Sequence, residues 1–185
     1  FCYKNPESGH EYVFVRPDGK PIKRASGLLT AMARADINWN DFVEVSQISV
    51  ERWKATVQLS DYNTMYLGEE RGEKLGGFAK YLLSFGFLNV TDFMEGCELD
   101  ASVMVKKLNE SGYFEDNFMK RSQLACRMIN DVLIRKGTSP LENINKLTVM
   151  ADYRIPQVFY NLGVVSLSED LSEQLISERP IVSGS

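Results

Sequence analysis

Cysteine and histidine are both scarce in this chain. Cys2, Cys97 and Cys126 are odd in number and widely separated. They offer no disulfide framework and no metal spacing, so a reducing, cytoplasmic setting is expected. His10 is the single histidine. It leaves no imidazole pair for a metal and speaks against a Ser-His-Asp triad, which needs a positioned ring. Positive charge is not in excess. Lys and Arg number 21 against 25 Asp and Glu, a formal net charge of -4. A nucleic-acid surface normally needs a basic stripe, so no stable nucleic-acid partner is expected. A local basic pocket for one phosphate stays compatible with that total. No apolar run reaches membrane-spanning length and no signal peptide is visible, so no membrane partner is expected either. Fixed internal periods are missing, which excludes a repeat array. Gly76-Gly77 follows no strand and precedes no Lys-Ser/Thr, so it is not a phosphate loop.

What is present suits a globular protein. The 185 residues are 44% hydrophobic and 25% charged, enough for one domain with a sizeable core. Residues 11–23 read as a β-hairpin. Tyr12, Phe14 and Arg16 alternate with Val13 and Val15, and Pro17-Asp18-Gly19 supplies the turn. So small a sheet needs cover from a helix. Residues 26–35 form an amphipathic helix with Leu28, Leu29 and Met32 inward. Trp39 and Phe42 read as core anchors. Ser49 caps a helix carrying Val50, Trp53 and Val57. Residues 65–83 read as one long helix, charged on one side and apolar along Leu67, Leu75, Phe78, Ala79 and Leu82 on the other. Gly72, Gly76 and Gly77 are costly there, about 1 kcal/mol each against alanine. They imply either close helix packing or a kink. Thr91 caps a short turn, and Asp100 caps a helix ending at Ser111-Gly112. Residues 118–136 form a helix closed by Gly137, and Ser166 or Ser168 caps a last one, terminated by Pro180. The expected fold is mainly α, with a small β-hairpin.

The organising stretch is Leu147-Thr148-Val149-Met150-Ala151-Asp152-Tyr153-Arg154-Ile155-Pro156-Gln157-Val158. Ser139-Pro140-Leu141-Glu142 is a capping box with proline at the first helical position. The spacing predicts a helix from there, with Leu141, Ile144 and Leu147 inward. Pro156 disfavours helix at Ile155, so the helix should stop near Asp152 or Tyr153. A new helix should start near Pro156 and end at Gly163. Asp152 then lies at a helix junction, close to an N-terminus that favours a carboxylate. The bland reading is an N-cap; the functional one is an acid aimed into a cleft. Lys120 and Arg121 fall in the first turn of the 118–136 helix, where the helix dipole disfavours cations. They are either a solvated surface pair or a basic group held ready for an anion.

Ala151-Asp152-Tyr153-Arg154-Ile155-Pro156-Gln157, followed by Leu162-Gly163, resembles the signature of the queuosine salvage proteins, which are queuosine 5'-phosphate N-glycosylases. Phe118-Met119-Lys120-Arg121-Ser122-Gln123 is similar to that family's aromatic-x-Lys-Arg-x-Gln segment. Weaker matches are Ser26-Gly27-Leu28-Leu29 through Arg34-Ala35, and Glu69-Glu70-Arg71 with Leu75. Together they span nearly the whole chain, and Asp-Tyr-Arg-x-Pro-Gln is the specific part. The resemblance implies a helical core similar to helix-hairpin-helix DNA glycosylases. It implies a single domain over residues 1–185, expected to be truncated at both ends, since family members continue in both directions. The substrate it implies is a small nucleotide, queuosine 5'-monophosphate, split without metal or cofactor to queuine and ribose 5-phosphate.

Residue roles follow from that resemblance. Asp152 and Lys120 are the candidate catalytic pair. Phe1 and Tyr3 resemble the end of an aromatic segment lining the family's pocket; as plain chemistry they are equally a strand end packing rings into the core. Tyr153 is a candidate for stacking on the base, and Arg154 for holding the phosphate or Asp152. N-glycoside hydrolysis passes through a sugar resembling an oxocarbenium ion, which a carboxylate can stabilise. A lysine within reach would lower the pKa of Asp152 and keep it ionised. Two other readings stand beside this one. A DNA repair glycosylase would need a basic groove. A non-catalytic helical interaction module would show an exposed apolar groove and no dependence of turnover on Asp152.

Overall fold

The computed structural model of the chain describes residues 3–5, 8–152 and 154–177. Phe1 and Tyr153 therefore lie outside the described residues, as does Pro180. The architecture is mainly helical with one two-stranded antiparallel sheet among the described residues.

Strand β1 (Val13–Val15) pairs with β2 (Pro21–Lys23), Phe14 opposite Ile22. Gly19 takes φ +77 in the turn, and the Asp18 carboxylate accepts the Lys20 N–H at 3.1 Å. Alternation is as expected, with Tyr12 and Phe14 buried and Val15 exposed. Cover comes from α1 (Arg24–Arg34) and α3 (Val50–Val57), and the Tyr12 hydroxyl donates to the Val57 carbonyl at 2.9 Å. The inward stripe expected of α1 is met in part, with Leu28 and Met32 packed on the core. Gly27 and Ala31 are buried, while Leu29 is 59% exposed. The helix lies so close to β2 that a Cβ on Gly27 would strike the Ile22 carbonyl. That contact rotates the small residues inward.

Between the hairpin layer and the rest runs α4 (Gly68–Ser84), packed on α3 and on α2 (Phe42–Ser46). Asp41 caps α2 and Ser49 caps α3. Trp39, Phe42 and Trp53 all serve the core, as their ring sizes suggested. Close packing explains Gly72 and Gly77, whereas a Cβ on Gly76 would meet only ordinary contacts. A Cβ on Gly72 would lie 2.6 Å from the Trp53 ring, and one on Gly77 would meet the Tyr113 hydroxyl. The larger core cluster joins α2 and α4 to α5 (Val90–Gly96), α6 (Ala101–Glu110) and α7 (Lys120–Arg135). Asn89, not Thr91, caps α5, because its side chain accepts the Asp92 N–H.

Asp100 caps α6 through the N–H groups of Ser102 and Val103, and its other oxygen accepts from Asn143. Asp100→Ala is expected to destabilise the fold by removing this cap, read as a lower urea midpoint at unchanged m. Asp100→Asn should recover most of the loss, because Asn also caps.

The helix expected over 141–152 does not form. Leu141 is buried and Ile144 and Leu147 pack on the core, so the apolar positions face inward as expected. Their backbone does not wind. Glu142 exchanges hydrogen bonds with Leu99 and Ala101 at 2.9 Å each, and the Leu141 N–H goes to the Asn130 side chain. Asn143 is left-handed at φ 55. Only a 3-10 turn at Ile144–Lys146 remains, with Leu147 extended beyond it. Tertiary partners thus take the groups that a helix would have paired internally.

Helix α8 (Arg154–Asn161) starts two residues before Pro156. Proline is tolerated there because first-turn N–H groups have no intrahelical partner. Gly163, at φ +69, closes the helix as expected. Ser168 caps α9 (Glu169–Ile176) through the Leu171 N–H. Among the described residues, no helix is long and apolar enough to cross a membrane.

Candidate active site

The site begins with the way α7 starts. Met119 is left-handed at φ 52, and the Asp116 carboxylate closes over the first turn. One oxygen accepts the N–H groups of Phe118 at 3.1 Å and Lys120 at 2.9 Å; the other accepts that of Arg121 at 2.9 Å. Desolvation is the largest influence on Asp116 and pushes its pKa up. The three N–H groups and the Arg121 charge outweigh it, so the carboxyl ends below its ordinary range. An ionised acid here offsets the cost of placing Lys120 and Arg121 at the positive end of the helix dipole. Asp116 was not singled out from the sequence. The signal was an acid four residues ahead of an otherwise misplaced cation pair.

One face of α7 then receives the chain from the other side of the site. Lys120, Gln123 and Arg127 are spaced three and four apart and so share that face. Arg127 donates to the Leu147 carbonyl at 3.0 Å, and the Thr148 hydroxyl donates to the Gln123 side chain at 3.2 Å. Gln123 is buried and anchored by its own bond to the Phe118 carbonyl at 3.1 Å. These contacts lay the extended 147–152 segment along α7 and bring Asp152 to Lys120. Gln123 stood out in the sequence only as the end of the family-like 118–123 segment, and Arg127 carried no signal.

Asp152 divides its carboxylate between two duties. Oδ1 accepts the Arg154 N–H at 3.1 Å, and Oδ2 accepts from the Lys120 ammonium at 2.6 Å. The N-cap reading and the lysine-paired reading are thus both satisfied. The side chains are 21% exposed for Lys120 and 32% for Asp152, so solvent still reaches the pair. The Lys120 hydrogen bond above all, then the Arg154 N–H, hold the Asp152 carboxyl below its ordinary range, with the Lys120 and Arg154 charges adding to the effect. It is therefore ionised at neutral pH, as expected for a lysine within reach.

A pH prediction follows with a definite sign. A depressed folded-state pKa contributes stability above the carboxyl's unfolded pKa, and that contribution is lost as pH falls through the folded value. Lys120→Gln removes the leading cause, so the Asp152 carboxyl should titrate closer to the ordinary carboxylate range. A carboxyl NMR titration reads this directly, and an unmoved Asp152 signal in the variant would show that Lys120 is not the cause.

A cleft of about 570 Å³ opens beside the pair, lined by Lys120, Arg121, Asp116 and Ala151 on one side and by Tyr66, Glu70, Arg71 and Lys74 on the α4 side. Arg71 is held in place by two contacts. Its Nε donates to the Tyr66 carbonyl at 3.1 Å, and its guanidinium lies 5.1 Å from the centre of the Tyr3 ring. Tyr3 thereby touches a lining residue, Arg71, without lining the cleft itself. Arg154 is exposed at the start of α8, beside Asp152. Lys120, Asp152, Tyr3 and Arg154 are the sequence-predicted site residues among those described, and the first two are in direct contact. No group of three or more His, Cys, Asp or Glu among the described residues could hold a metal ion.

The arrangement puts an ionised carboxylate against Lys120, one of the cations that line the cleft. Such a carboxylate can stabilise positive charge developing on a bound sugar.

Comparison with known proteins agrees with the signature in the chain. The family model described as "Queuosine salvage protein" matches residues 1–185. The chain is similar to proteins named queuosine 5'-phosphate N-glycosylase/hydrolase in several organisms. The one from Mus musculus is 34% identical over 67 residues, 36% of this chain and 20% of that protein. Those from Bos taurus and Nematostella vectensis are each 35% identical over 68 residues, 37% of this chain and 20% of theirs. The matched stretch spans about a fifth of the length of these curated relatives.

Proposed function

The chain belongs to the queuosine salvage protein family, and from that premise we propose that it hydrolyses the N-glycosidic bond of queuosine 5'-monophosphate, releasing queuine for salvage into tRNA modification. The observation that carries the reading is the 2.6 Å contact between an ionised Asp152 and Lys120, one of the cations that line the cleft. The bond between the sugar C1' and the base nitrogen breaks, and its electron pair leaves with the base. Water then supplies the oxygen that joins C1'; one of its protons stays on the new C1' hydroxyl and the other ends on the base nitrogen that the sugar left. The leaving base is a 7-deazaguanine, with carbon where guanine has its basic N7, so leaving-group protonation at that atom is closed. More of the barrier must then be lowered at the sugar. Asp152 meets that demand by stabilising the oxocarbenium-like charge. Lys120 orients the carboxylate and keeps it ionised. Arg154, Tyr3, Phe1 and Tyr153 are the proposed substrate-binding residues.

A cytoplasmic setting belongs to the same proposal, with Cys97 and Cys126 buried as free thiols in support. No stable nucleic-acid partner and no membrane partner are proposed. A DNA repair glycosylase fits less well, because the net charge is -4 and the cleft mixes its cations with Glu70 and Asp116. The interaction-module reading has one observation in its favour. An apolar groove of about 570 Å³ runs between α5 and α7, lined by Val90, Met94, Met128, Ile129, Val132 and Leu133. It does not account for the Lys120–Asp152 pair.

The test is incubation of the whole folded chain with queuosine 5'-monophosphate, with the unphosphorylated nucleoside in parallel, and detection of free base by mass spectrometry. Queuine release is the expected result. No base from either substrate would overturn the glycosylase reading and favour the interaction module.

A further inference from the structure

Resting on the glycosylase reading of the cleft, we infer that Gln123 is a positioning residue for the hydrolysis, a cross-brace that fixes Lys120 and Asp152 against each other without touching substrate. Gln123 is 6% exposed and does not line the cleft. A buried amide needs partners at both its ends. Here the two partners belong to the two separate pieces of chain that carry the pair. The Phe118 carbonyl lies in the turn that leads into Lys120, and the Thr148 hydroxyl lies four residues ahead of Asp152.

The chemistry of those partners fixes which way the amide points. A carbonyl only accepts, so the end 3.1 Å from Phe118 is the Nε2 donor. Oε1 is then left toward Thr148, whose hydroxyl donates at 3.2 Å. Turning the amide over would set two oxygens against each other at the Phe118 carbonyl. Residues 147–152 form neither helix nor strand, so no ladder of backbone bonds sets where Asp152 lies. Side chains of α7 do so instead: Gln123 on Thr148 and, one turn on, Arg127 on the Leu147 carbonyl at 3.0 Å. On the other side, Met119 enters α7 at φ 52, a conformation that side-chain-bearing residues adopt rarely. Gln123 ties down Phe118, the residue just before it. Both members of the pair are thus referred to one side chain, and their 2.6 Å contact follows from that shared anchor. Loss of the brace keeps both charged groups and lets their separation drift.

The test uses the whole chain carrying Gln123→Met, Thr148→Val or Thr148→Ser. Methionine keeps the length of Gln123 and removes both hydrogen bonds. Valine keeps the shape of Thr148 without its hydroxyl, and serine keeps the hydroxyl. Gln123→Met should lower kcat for queuosine 5'-monophosphate about 10- to 100-fold with little change in KM, the cost of misplacing a reacting group. Thr148→Val should lower kcat about three- to tenfold, for loss of one hydrogen bond, and Thr148→Ser should stay within about twofold of native. Gln123→Met and Thr148→Val together should cost no more than Gln123→Met alone, because they break the same contact. An NMR titration of the Asp152 carboxyl adds a readout that a merely structural role would not move. Lys120 and Arg154 are the charged groups acting on that carboxyl. With Lys120 displaced, its pKa should rise toward the ordinary range in Gln123→Met and Thr148→Val, and return to the native value in Thr148→Ser. An unmoved Asp152 titration in both variants, or a native kcat in both, would overturn the role, whatever stability they lose. Should Gln123→Met fail to fold, the exposed Thr148 decides alone through its valine and serine variants. The titration needs no substrate, which separates the two readings. A brace-dependent Asp152 titration without queuine release from the native chain keeps the brace and removes the glycosylase. Queuine release with kcat and titration unmoved in the variants removes the brace and leaves the glycosylase.

Discussion

Asp152→Asn should lower the turnover of queuosine 5'-monophosphate about 100- to 1000-fold, the usual cost of losing one preorganised electrostatic partner of the transition state. The substitution is chosen for what it keeps. Asparagine has nearly the same shape and can still accept the Arg154 N–H that Asp152 accepts at 3.1 Å, so the start of α8 survives. What disappears is the negative charge beside Lys120, and with it the partner that fixes the ammonium at 2.6 Å. An interaction made mainly in the transition state appears in kcat, with KM changing little. Steady-state kinetics on the two proteins, with thermal unfolding to confirm equal folding, read the result. A variant with near-native kcat would leave Asp152 as a cap and nothing more.

Trp53→Ala should cost about 3–5 kcal/mol, a large share of the 5–15 kcal/mol typical of a whole domain. Trp53 is 3% exposed, and its indole N–H donates to the Gly68 carbonyl at 2.6 Å. Its ring occupies the space that Gly72 leaves open. Truncation creates a cavity at the α3–α4 contact, and the Gly68 carbonyl at the first turn of α4 loses the indole as a donor. Arg71 precedes Gly72 and Lys74 lies two residues beyond it, so the loss reaches the cleft wall as well as the core. Urea unfolding should show a much lower midpoint. Trp53→Phe keeps an aromatic ring and loses the rest of the indole with its N–H, so it should cost distinctly less. A loss under about 1 kcal/mol for Trp53→Ala would mean that the α3–α4 contact is not a principal support of the fold.

The two substitutions probe different kinds of information. Trp53 was legible as a buried apolar position of a Ser49-capped helix, and the ring is where that pattern put it. Along the chain the candidate catalytic pair was legible as two separate oddities, which the family resemblance alone joined. One was an acid at a break, the other a cation at the wrong end of a helix. Asp116, which makes the second oddity tolerable, escaped notice because it stands in a loop with no periodicity to mark it. The 141–152 segment was read as a helix because its apolar spacing is helical. Leu141, Ile144 and Leu147 do face the core, yet spacing alone says nothing about where the backbone groups find partners.

What the amino-acid sequence determined by itself is local. Caps at Ser49, Asp100 and Ser168, the reversal at Gly19 and the closures at Gly137 and Gly163 all depend on partners within a few residues, or on the backbone freedom of glycine. The predominance of helix and the family signature were likewise readable along the chain. Tertiary structure decided the rest. It chose close packing as the reason for Gly72, because Trp53 arrives from another helix. It unwound 141–152, because Leu99, Ala101 and Asn130 bid for its backbone groups. It joined Lys120 to Asp152 across 32 positions, because Gln123 and Arg127 hold the intervening chain against α7. Each of these outcomes depends on a hydrogen bond or a steric contact between segments far apart in the chain, and such partners are defined only once the chain has folded.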